Sequence, residues 1–160
     1  IYDFDQALSI NPDGPKIYLN RGNSKYYLNR FNEAISDYKR AMSRDHNALY
    51  SNIALAYEGL GLNEEASSYH YLAVSDNPYD VDALINRGNY FLREGNSNSA
   101  IADYTKGIEL DPKCSSCYFN RALAYEKSGS LVLSCLDFKQ ACIIGDDNAC
   151  NAFDTECDKY

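Results

Sequence analysis

The six cysteines carry the most reactive side chains in this chain of 160 residues. All of them lie within residues 114–157, at Cys114, Cys117, Cys135, Cys142, Cys150 and Cys157. Cysteines at such short spacings can form disulfides, bind zinc as thiolates or carry out thiol–disulfide exchange. Which of these chemistries applies depends on the elements that hold the sulfur atoms.

Four of the cysteines form two pairs that are symmetric about Asp146. Cys135 and Cys157 lie 11 residues to either side of it, and Cys142 and Cys150 lie 4 residues to either side. The sequence GDDN at residues 145–148 predicts a tight turn, so two antiparallel helices would place the members of each pair face to face. At ~1.5 Å per residue the two pairs are about 10.5 Å apart, too far for one zinc ion. We therefore expect the disulfides Cys135–Cys157 and Cys142–Cys150, with four buried, reduced thiols as the alternative.

The motif C-S-S-C at Cys114–Cys117 stands just before a predicted helix. A thiol at a helix start can have a lowered pKa and hence redox activity. No alternation of strands and helices surrounds this motif, and the following Tyr118 excludes the haem-attachment pattern. A local Cys114–Cys117 disulfide or free thiols are favoured over a redox centre.

Other catalytic signals are missing from the sequence. His46 and His70 share no ligand spacing with a carboxylate and are interpreted as structural or surface residues. The pattern contains no nucleophile–base arrangement, glycine-rich phosphate loop or metal quartet. We expect no enzyme activity, no cofactor and no metal.

Charge and hydropathy narrow the classes of partner. The net charge is −8, so the chain lacks the basic face that binds a nucleic-acid backbone. It contains no apolar run long enough to insert into a membrane. The chain begins at Ile1 in the middle of a repeating pattern, so we expect further residues before it. Disulfides would place the protein in the periplasm or outside the cell, whereas reduced thiols would suit the cytoplasm.

A fixed period organises the whole chain. An asparagine recurs in steps of 32, 34 and 34 residues, at Asn20, Asn52, Asn86 and Asn120, which we call the asparagine column. The same steps relate small residues at Gly22, Ala54, Gly88 and Ala122. They also relate rings, with one histidine among them, at Phe4, Tyr38, His70, Tyr104 and Phe138. Spacings of three and four residues predict helix pairs, with turns at Gly61, Gly95 and Gly129.

This pattern resembles the tetratricopeptide repeat, W-x2-L-G-x2-Y…A-x3-F…P over 34 residues. The sequence departs from it where Tyr or Leu replaces the Trp, where Lys25 replaces a ring, and where His46 and Asp146 replace prolines. The resemblance implies an all-α solenoid of antiparallel helix pairs, a right-handed superhelix with a concave groove lined by the first helices. Its repeats would be a half repeat at 1–14, complete repeats at 15–46, 47–80, 81–114 and 115–146, and a capping helix at 147–160, all in one continuous domain.

Ten helices follow from this division. We predict them at 1–10, 15–28, 31–44, 48–60, 63–75, 81–94, 97–110, 115–128, 131–144 and 147–158.

We call the small residues Gly22, Ala54, Gly88 and Ala122 the small column. The asparagine column stands two residues before it, about 200° around the helix, and so should line the concave face. An Asn side chain offers an acceptor and two donors, which match those of a peptide unit. Asn23 and Asn89 lie one turn further along the same face. Apolar neighbours that would give side-chain preference are Leu19, Tyr26, Leu55, Ile85, Phe119 and Leu123, with Tyr27 at the edge of the strip. The alternative role of the asparagines is to hydrogen-bond neighbouring first helices.

Two further patterns bear on this face. Arg21, Arg87 and Arg121 recur with Asp37, Asp103 and Asp137 on the second helices, and we expect them to pair structurally. Asn23 and Asn52 match part of the pattern by which some family members bind a C-terminal carboxylate. Leu19, Asp82 and Asn86 stand where that pattern needs cations, which argues against such a site.

The sequence thus predicts a non-catalytic module that binds an extended peptide of another protein in its groove. The alternatives are a structural scaffold without a groove ligand and, less favoured, a redox protein using Cys114 and Cys117. The open N-terminal end of the array would also allow self-association.

Overall fold

A computed structural model describes residues 1–42 and 46–157, with side chains beyond residue 42 described from Leu49 onward. Within these residues the chain forms ten α-helices and no strand, as predicted. The helices are α1 Tyr2–Ile10, α2 Pro15–Tyr27, α3 Phe31–Ala41, α4 His46–Gly59, α5 Asn63–Asp76, α6 Val81–Arg93, α7 Ser97–Leu110, α8 Ser115–Lys127, α9 Leu131–Ile144 and α10 Asp147–Glu156.

The predicted helix boundaries agree with these within two residues wherever both can be compared. The fourth helix begins at His46, two residues earlier than predicted. The predicted end of the third helix at 44 and of the last at 158 lie outside the described residues, as does the side chain of His46.

The helices form two compact units. The first unit, Ile1–Asn77, contains α1 and the antiparallel pairs α2–α3 and α4–α5. The second unit, Pro78–Tyr160, contains the pairs α6–α7 and α8–α9, followed by α10. The fold class is therefore the predicted one, an all-α chain of solenoid type built from antiparallel helix pairs.

Each helix pair is joined by the same left-handed turn. Gly61, Gly95 and Gly129 have φ values of 71°, 78° and 81°, as expected for glycine at a helix C-terminus. Asn29 holds the equivalent position in the α2–α3 turn with a φ of 57°. Asparagine is among the few other residues that tolerate this conformation, so the first turn keeps its geometry without glycine.

The small column is needed because a buried ring lies directly against it. A Cβ atom added to Gly22 would lie 2.7 Å from Tyr38, and one added to Gly88 would lie 2.6 Å from Tyr104. Both rings are almost fully buried. Close packing of this kind leaves no room for a methyl group unless the ring moves.

The predicted arginine–aspartate pairs form in three of the four helix pairs. Arg21, Arg87 and Arg121 each donate two hydrogen bonds, from Nε and a terminal nitrogen, to Asp37, Asp103 and Asp137 at 2.6–2.9 Å. Lys25, which departs from the repeat pattern, also pairs with Asp37, its Nζ lying 2.8 Å from Oδ2. The missing ring at position 25 is thus replaced by a second cation on one buried carboxylate.

All six cysteines form disulfides, four of them in the two expected pairs and two in a pair that the sequence left open against free thiols. Cys135–Cys157 and Cys142–Cys150 join α9 to the end and the start of α10, with Cα–Cα distances of 5.6 and 4.6 Å. Cys114 and Cys117 are also bonded to each other. The pairing leaves no thiolate for a zinc site, and the alternative of four reduced thiols is not what the structure contains.

Candidate functional site

The asparagine column lies on the first helix of every complete pair. In the first unit Asn20 is exposed on α2 and Asn52 is half-buried on α4. In the second unit Asn86 on α6 and Asn120 on α8 are both half-buried. Each unit therefore holds two side-chain amides at equivalent positions of neighbouring repeats.

Asn23 and Asn89 have a structural partner that the sequence did not reveal. The buried hydroxyl of Tyr38 donates to Oδ1 of Asn23 at 3.0 Å, and that of Tyr104 donates to Oδ1 of Asn89 at 2.7 Å. Where the ring is Phe138, the position equivalent to Asn23 and Asn89 is Leu123, which packs in the same apolar cluster. The amide oxygens of Asn23 and Asn89 thus satisfy buried phenols, and their NH2 groups remain as donors.

One asparagine bond joins neighbouring first helices. Nδ2 of Asn52 on α4 donates to Oδ1 of Asn23 on α2 at 3.3 Å. In the described part of the second unit, Asn86 and Asn120 have no such side-chain bond. The sequence left open whether the asparagines bond neighbouring first helices to each other. In the first unit Asn52 and Asn23 do so.

The predicted apolar neighbours divide between core and surface. Leu19 packs on the core cluster of the first unit, and the ring of Phe119 lies 5.6 Å from that of Phe138 in the second. Leu123 joins two apolar clusters. Ile85 is half-buried, and Leu55 is half-buried with its side chain at a cavity.

A small cavity lies between α2 and α4 on this face of the first unit. Its volume is about 100 Å³, and we call it the tyrosine cavity after its lining residues, Asn23, Tyr26, Tyr27, Tyr38, Asn52 and Leu55. The rings of Tyr26 and Tyr27 are 5.8 Å apart and nearly perpendicular. Burial raises the pKa of Tyr38, and the phenols of Tyr26 and Tyr27 add to this shift.

Sequence reasoning placed four of these six residues in the site. Tyr27 was placed only at the edge of the predicted binding face. Tyr38 was assigned to packing because it is one of the rings that recur with the repeat. Tyr38 does fill the core, but its hydroxyl end reaches the cavity. The signal that could have identified it is the shared occurrence of Tyr38 with Asn23 and of Tyr104 with Asn89.

A larger depression of about 870 Å³ lies beside the loop that joins α1 to α2. It contains none of the predicted site residues. Arg40, the cation among its described lining residues, donates to the hydroxyl of Tyr18 at 3.1 Å and lies over that ring. This depression has no asparagine of the column, and we assign no ligand to it.

The position of His70 agrees with its interpretation as a structural residue. It is fully buried at the ring position of α5, and its Nε2 lies 2.7 Å from Oε1 of Glu58. The pair replaces the Tyr–Asn hydrogen bond of the first and third helix pairs.

The C-x-x-C disulfide is also buried. Cys117 is fully buried and Cys114 is only 8% exposed. Sγ of Cys114 accepts the backbone N–H of Cys117 at 3.1 Å and so caps α8. An attacking thiolate must reach a sulfur atom for disulfide exchange, and burial of both residues opposes such an attack.

The described residues contain no helix with the length and apolar character needed to cross a membrane.

Comparison with known proteins agrees with this architecture. The model of the tetratricopeptide repeat family matches residues 15–47 and 81–114. Protein O-mannosyl-transferase TMTC3 of Mus musculus is 29% identical over 139 residues, which cover 76% of this chain and 15% of that protein. The chain spans 20% or less of the length of the curated relatives it matches.

Two solved structures share the fold. The crystal structure of MamA superposes with a TM-score of 0.74 at 23% identity, covering 91% of this chain and 86% of MamA. That of YrrB, described as a TPR protein with an unusual peptide-binding site, gives 0.73 at 21% identity, covering 93% and 79%. Residues 15–47 and 81–114 are thus tetratricopeptide repeats by sequence, and the chain shares the fold of tetratricopeptide repeat proteins.

Proposed function

We propose that this chain is a non-catalytic module that binds an extended segment of another protein along the first helices of its pairs. The asparagine column would bind the backbone of that segment, because each amide matches the donor and acceptor of a peptide unit. The apolar side chains between the asparagines would contact its side chains. The similarity to YrrB, a protein with a peptide-binding site by its description, supports this class of ligand.

One observation carries the proposal. The tyrosine cavity opens on the face that holds the asparagine column, and four of its six lining residues are those predicted from the repeat alone, Asn23, Tyr26, Asn52 and Leu55. A concave site with apolar walls and a few polar groups is the usual form of a ligand site. The domain division predicted from sequence, with one repeat after another in a continuous array, is part of the same proposal.

The buried C-x-x-C disulfide supports a non-catalytic role. Both of its cysteines are buried and Cys114 caps a helix, as in a structural bridge. If these disulfides form in the cell, the protein works in an oxidising compartment.

The test compares the wild type with a variant in which Asn20, Asn52, Asn86 and Asn120 are changed to Ala. Both are screened against a random peptide library, and their folding is compared by circular dichroism. A matched control changes Asn32, Asn98 and Asn151, which are exposed on α3, α7 and α10. We expect only the column variant to lose peptide binding while remaining folded.

A structural scaffold remains the second candidate, because Asn52 does bond to Asn23. It predicts a different result. The column variant would bind every peptide that the wild type binds. The loss of the Asn52–Asn23 hydrogen bond would lower the unfolding temperature of the variant.

A further inference from the structure

The tyrosine cavity has a chemistry that distinguishes one class of side chain. Its six lining residues carry no formal charge, and three of them are tyrosines. Tyr26 and Tyr27 both line the cavity, and their rings contact each other edge to face at an interplanar angle of 79°. The face of an aromatic ring carries negative potential and attracts a cation within about 6 Å of its centre.

The polar groups of the cavity also suit a cation. Oδ1 of Asn23 already accepts hydrogen bonds from Tyr38 and Asn52. Because Asn52 uses its nitrogen in that bond, its carbonyl oxygen is left as an acceptor. A carboxylate would meet no cation in this lining, whereas an ammonium or guanidinium group would meet tyrosine rings and an amide oxygen.

The chain uses the same chemistry internally. Nζ of Lys39 lies 5.7 Å from the ring centre of Tyr57 and 5.8 Å from that of Tyr69, and it donates to the Tyr57 hydroxyl at 3.2 Å. Arg121 likewise lies over Tyr118 and Tyr125, at 5.6 and 5.7 Å. A pair of tyrosines that binds a cation is thus a recurring arrangement in this molecule.

From these observations we infer that the tyrosine cavity binds a lysine or arginine side chain of the partner's extended segment. The inference rests on the proposed function, which places a peptide on this face, and adds the residue class that it selects. The net charge of −8 favours the approach of such a basic segment.

The equivalent place in the second unit has the opposite character. The repeat puts Leu92 and Arg93 at the positions of Tyr26 and Tyr27, beside Asn89 and Tyr104. Burial raises the pKa of Tyr104, and the positive charge of Arg93 acts against that shift. A cation is therefore supplied by the protein in the second unit and left to the ligand in the first.

This contrast provides the test. The double variant Tyr26→Leu/Tyr27→Arg copies the second unit's pair into the first. Wild type, this variant and Tyr27→Arg alone are screened against a random peptide library, and lysine, arginine, aspartate and glutamate are counted among the bound peptides. Tyr27 is 82% exposed, so the single variant leaves the core intact if the double variant fails to fold. The matched control is Tyr71→Leu, on α5 outside the cavity.

We expect wild type and the control to enrich lysine and arginine. Either cavity variant should lower that enrichment roughly three- to thirtyfold, the range of a cation–π contact, and raise that of aspartate and glutamate. Peptides that depend on the asparagine column but show no basic preference would overturn this inference and leave the proposed function standing.

A second probe does not need the peptide. Choline and its neutral isostere 3,3-dimethylbutan-1-ol are titrated against the wild type, with the NMR signals of the Tyr26 and Tyr27 rings as readout. Shifts with choline alone support a cation site even if no peptide is captured, which would count against the proposed function only. Equal shifts with both compounds, or with neither, would count against the cation site.

Discussion

Asp37 in the first unit binds two cations, Arg21 and Lys25, and its side chain is 3% exposed. In the second unit Asp103 and Asp137 each pair with a single arginine. The second unit instead carries the three disulfides, of which two join α9 to α10. One repeat pattern has thus been stabilised by concentrated charge in one region and by covalent bonds in the other.

The difference shows which parts of the repeat are fixed and which are free to vary. The small column, the buried ring and the left-handed turn appear in both units, because they define how two helices pack. The charge network and the disulfides are added around that frame. The two units should therefore respond to different chemical conditions, acid in one and reductant in the other.

The largest expected effect comes from removing the two disulfides that join α9 to α10. The Cys135–Cys157 bridge spans 22 residues, and closing such a loop stabilises by about 3 kcal/mol. We expect the variant Cys135→Ser/Cys142→Ser/Cys150→Ser/Cys157→Ser to lower the free energy of unfolding of the second unit by about 3–5 kcal/mol. Hydrogen exchange with mass spectrometry reports each unit separately, and unchanged protection in α9 and α10 would contradict the prediction.

Neutralising the buried carboxylate of the first unit has the next largest effect. Asp37→Asn leaves Lys25 and Arg21 without their common counter-ion and should cost about 2–4 kcal/mol. Asp103→Asn, the matched change in the second unit, should cost less because it affects one cation. Urea denaturation curves of the two variants give the comparison, and equal losses would show that Lys25 adds nothing.

Acid should weaken the first unit through the same residue. Burial raises the pKa of Asp37, but the hydrogen bonds from Arg21 and Lys25 outweigh the effect of burial. They hold the pKa of this carboxyl below its usual value of 3.8. Asp37 therefore contributes its full stabilisation above that value and loses it as the pH falls through the lower, folded pKa.

The acid prediction can be checked with pepsin, which is active at low pH. Limited digestion across a pH series should cleave within residues 1–42 and 46–77 at a higher pH than within 78–157. Disulfides survive acid, so the second unit retains its cross-links. Cleavage of both units at the same pH would contradict a special role for Asp37.

The smallest expected effect concerns the turn that both units share. Asn29→Gly relieves a left-handed asparagine and should raise the free energy of unfolding by about 0.5–1 kcal/mol, whereas Gly95→Asn should lower it by a similar amount. A side chain at Gly95 meets no atom within 4 Å, so the change tests the backbone alone. Thermal melts of both variants measure it, and shifts of the same sign would contradict the assignment.

Periodicity was sufficient to predict most of the fold. Helix positions and three glycine turns follow from the spacing of like residues, because each repeat must pack against the next in the same way. The two α9–α10 disulfides follow from the symmetric placement of four cysteines about Asp146. The Arg–Asp pairs were predicted for the same reason. Residues of one type that recur at the repeat steps indicate a contact that every repeat must make.

Features found in one repeat only could not be predicted in this way. Glu58 beside His70, and Lys25 beside Asp37, each compensate a departure from the pattern, and nothing in the spacing identifies the compensating residue. The hydrogen bond from Tyr38 to Asn23 joins two columns that the sequence analysis treated apart, one as core and one as site. Side-chain reach across a helix pair decides such contacts, and a one-dimensional pattern does not contain it.

The α9–α10 disulfides also give the chain a mechanical property. A force that stretches the polypeptide must pass through residues 135–157, and the bridge between Cys135 and Cys157 carries that force directly from one sulfur to the other. The residues between them cannot extend while the bond is intact. At ~3.5 Å per residue, about 75 Å of contour length is thereby withheld from extension. Under tension this segment acts as a closed link in the chain. Reduction of Cys135–Cys157 would release its length except for the part between Cys142 and Cys150, which needs a second reduction.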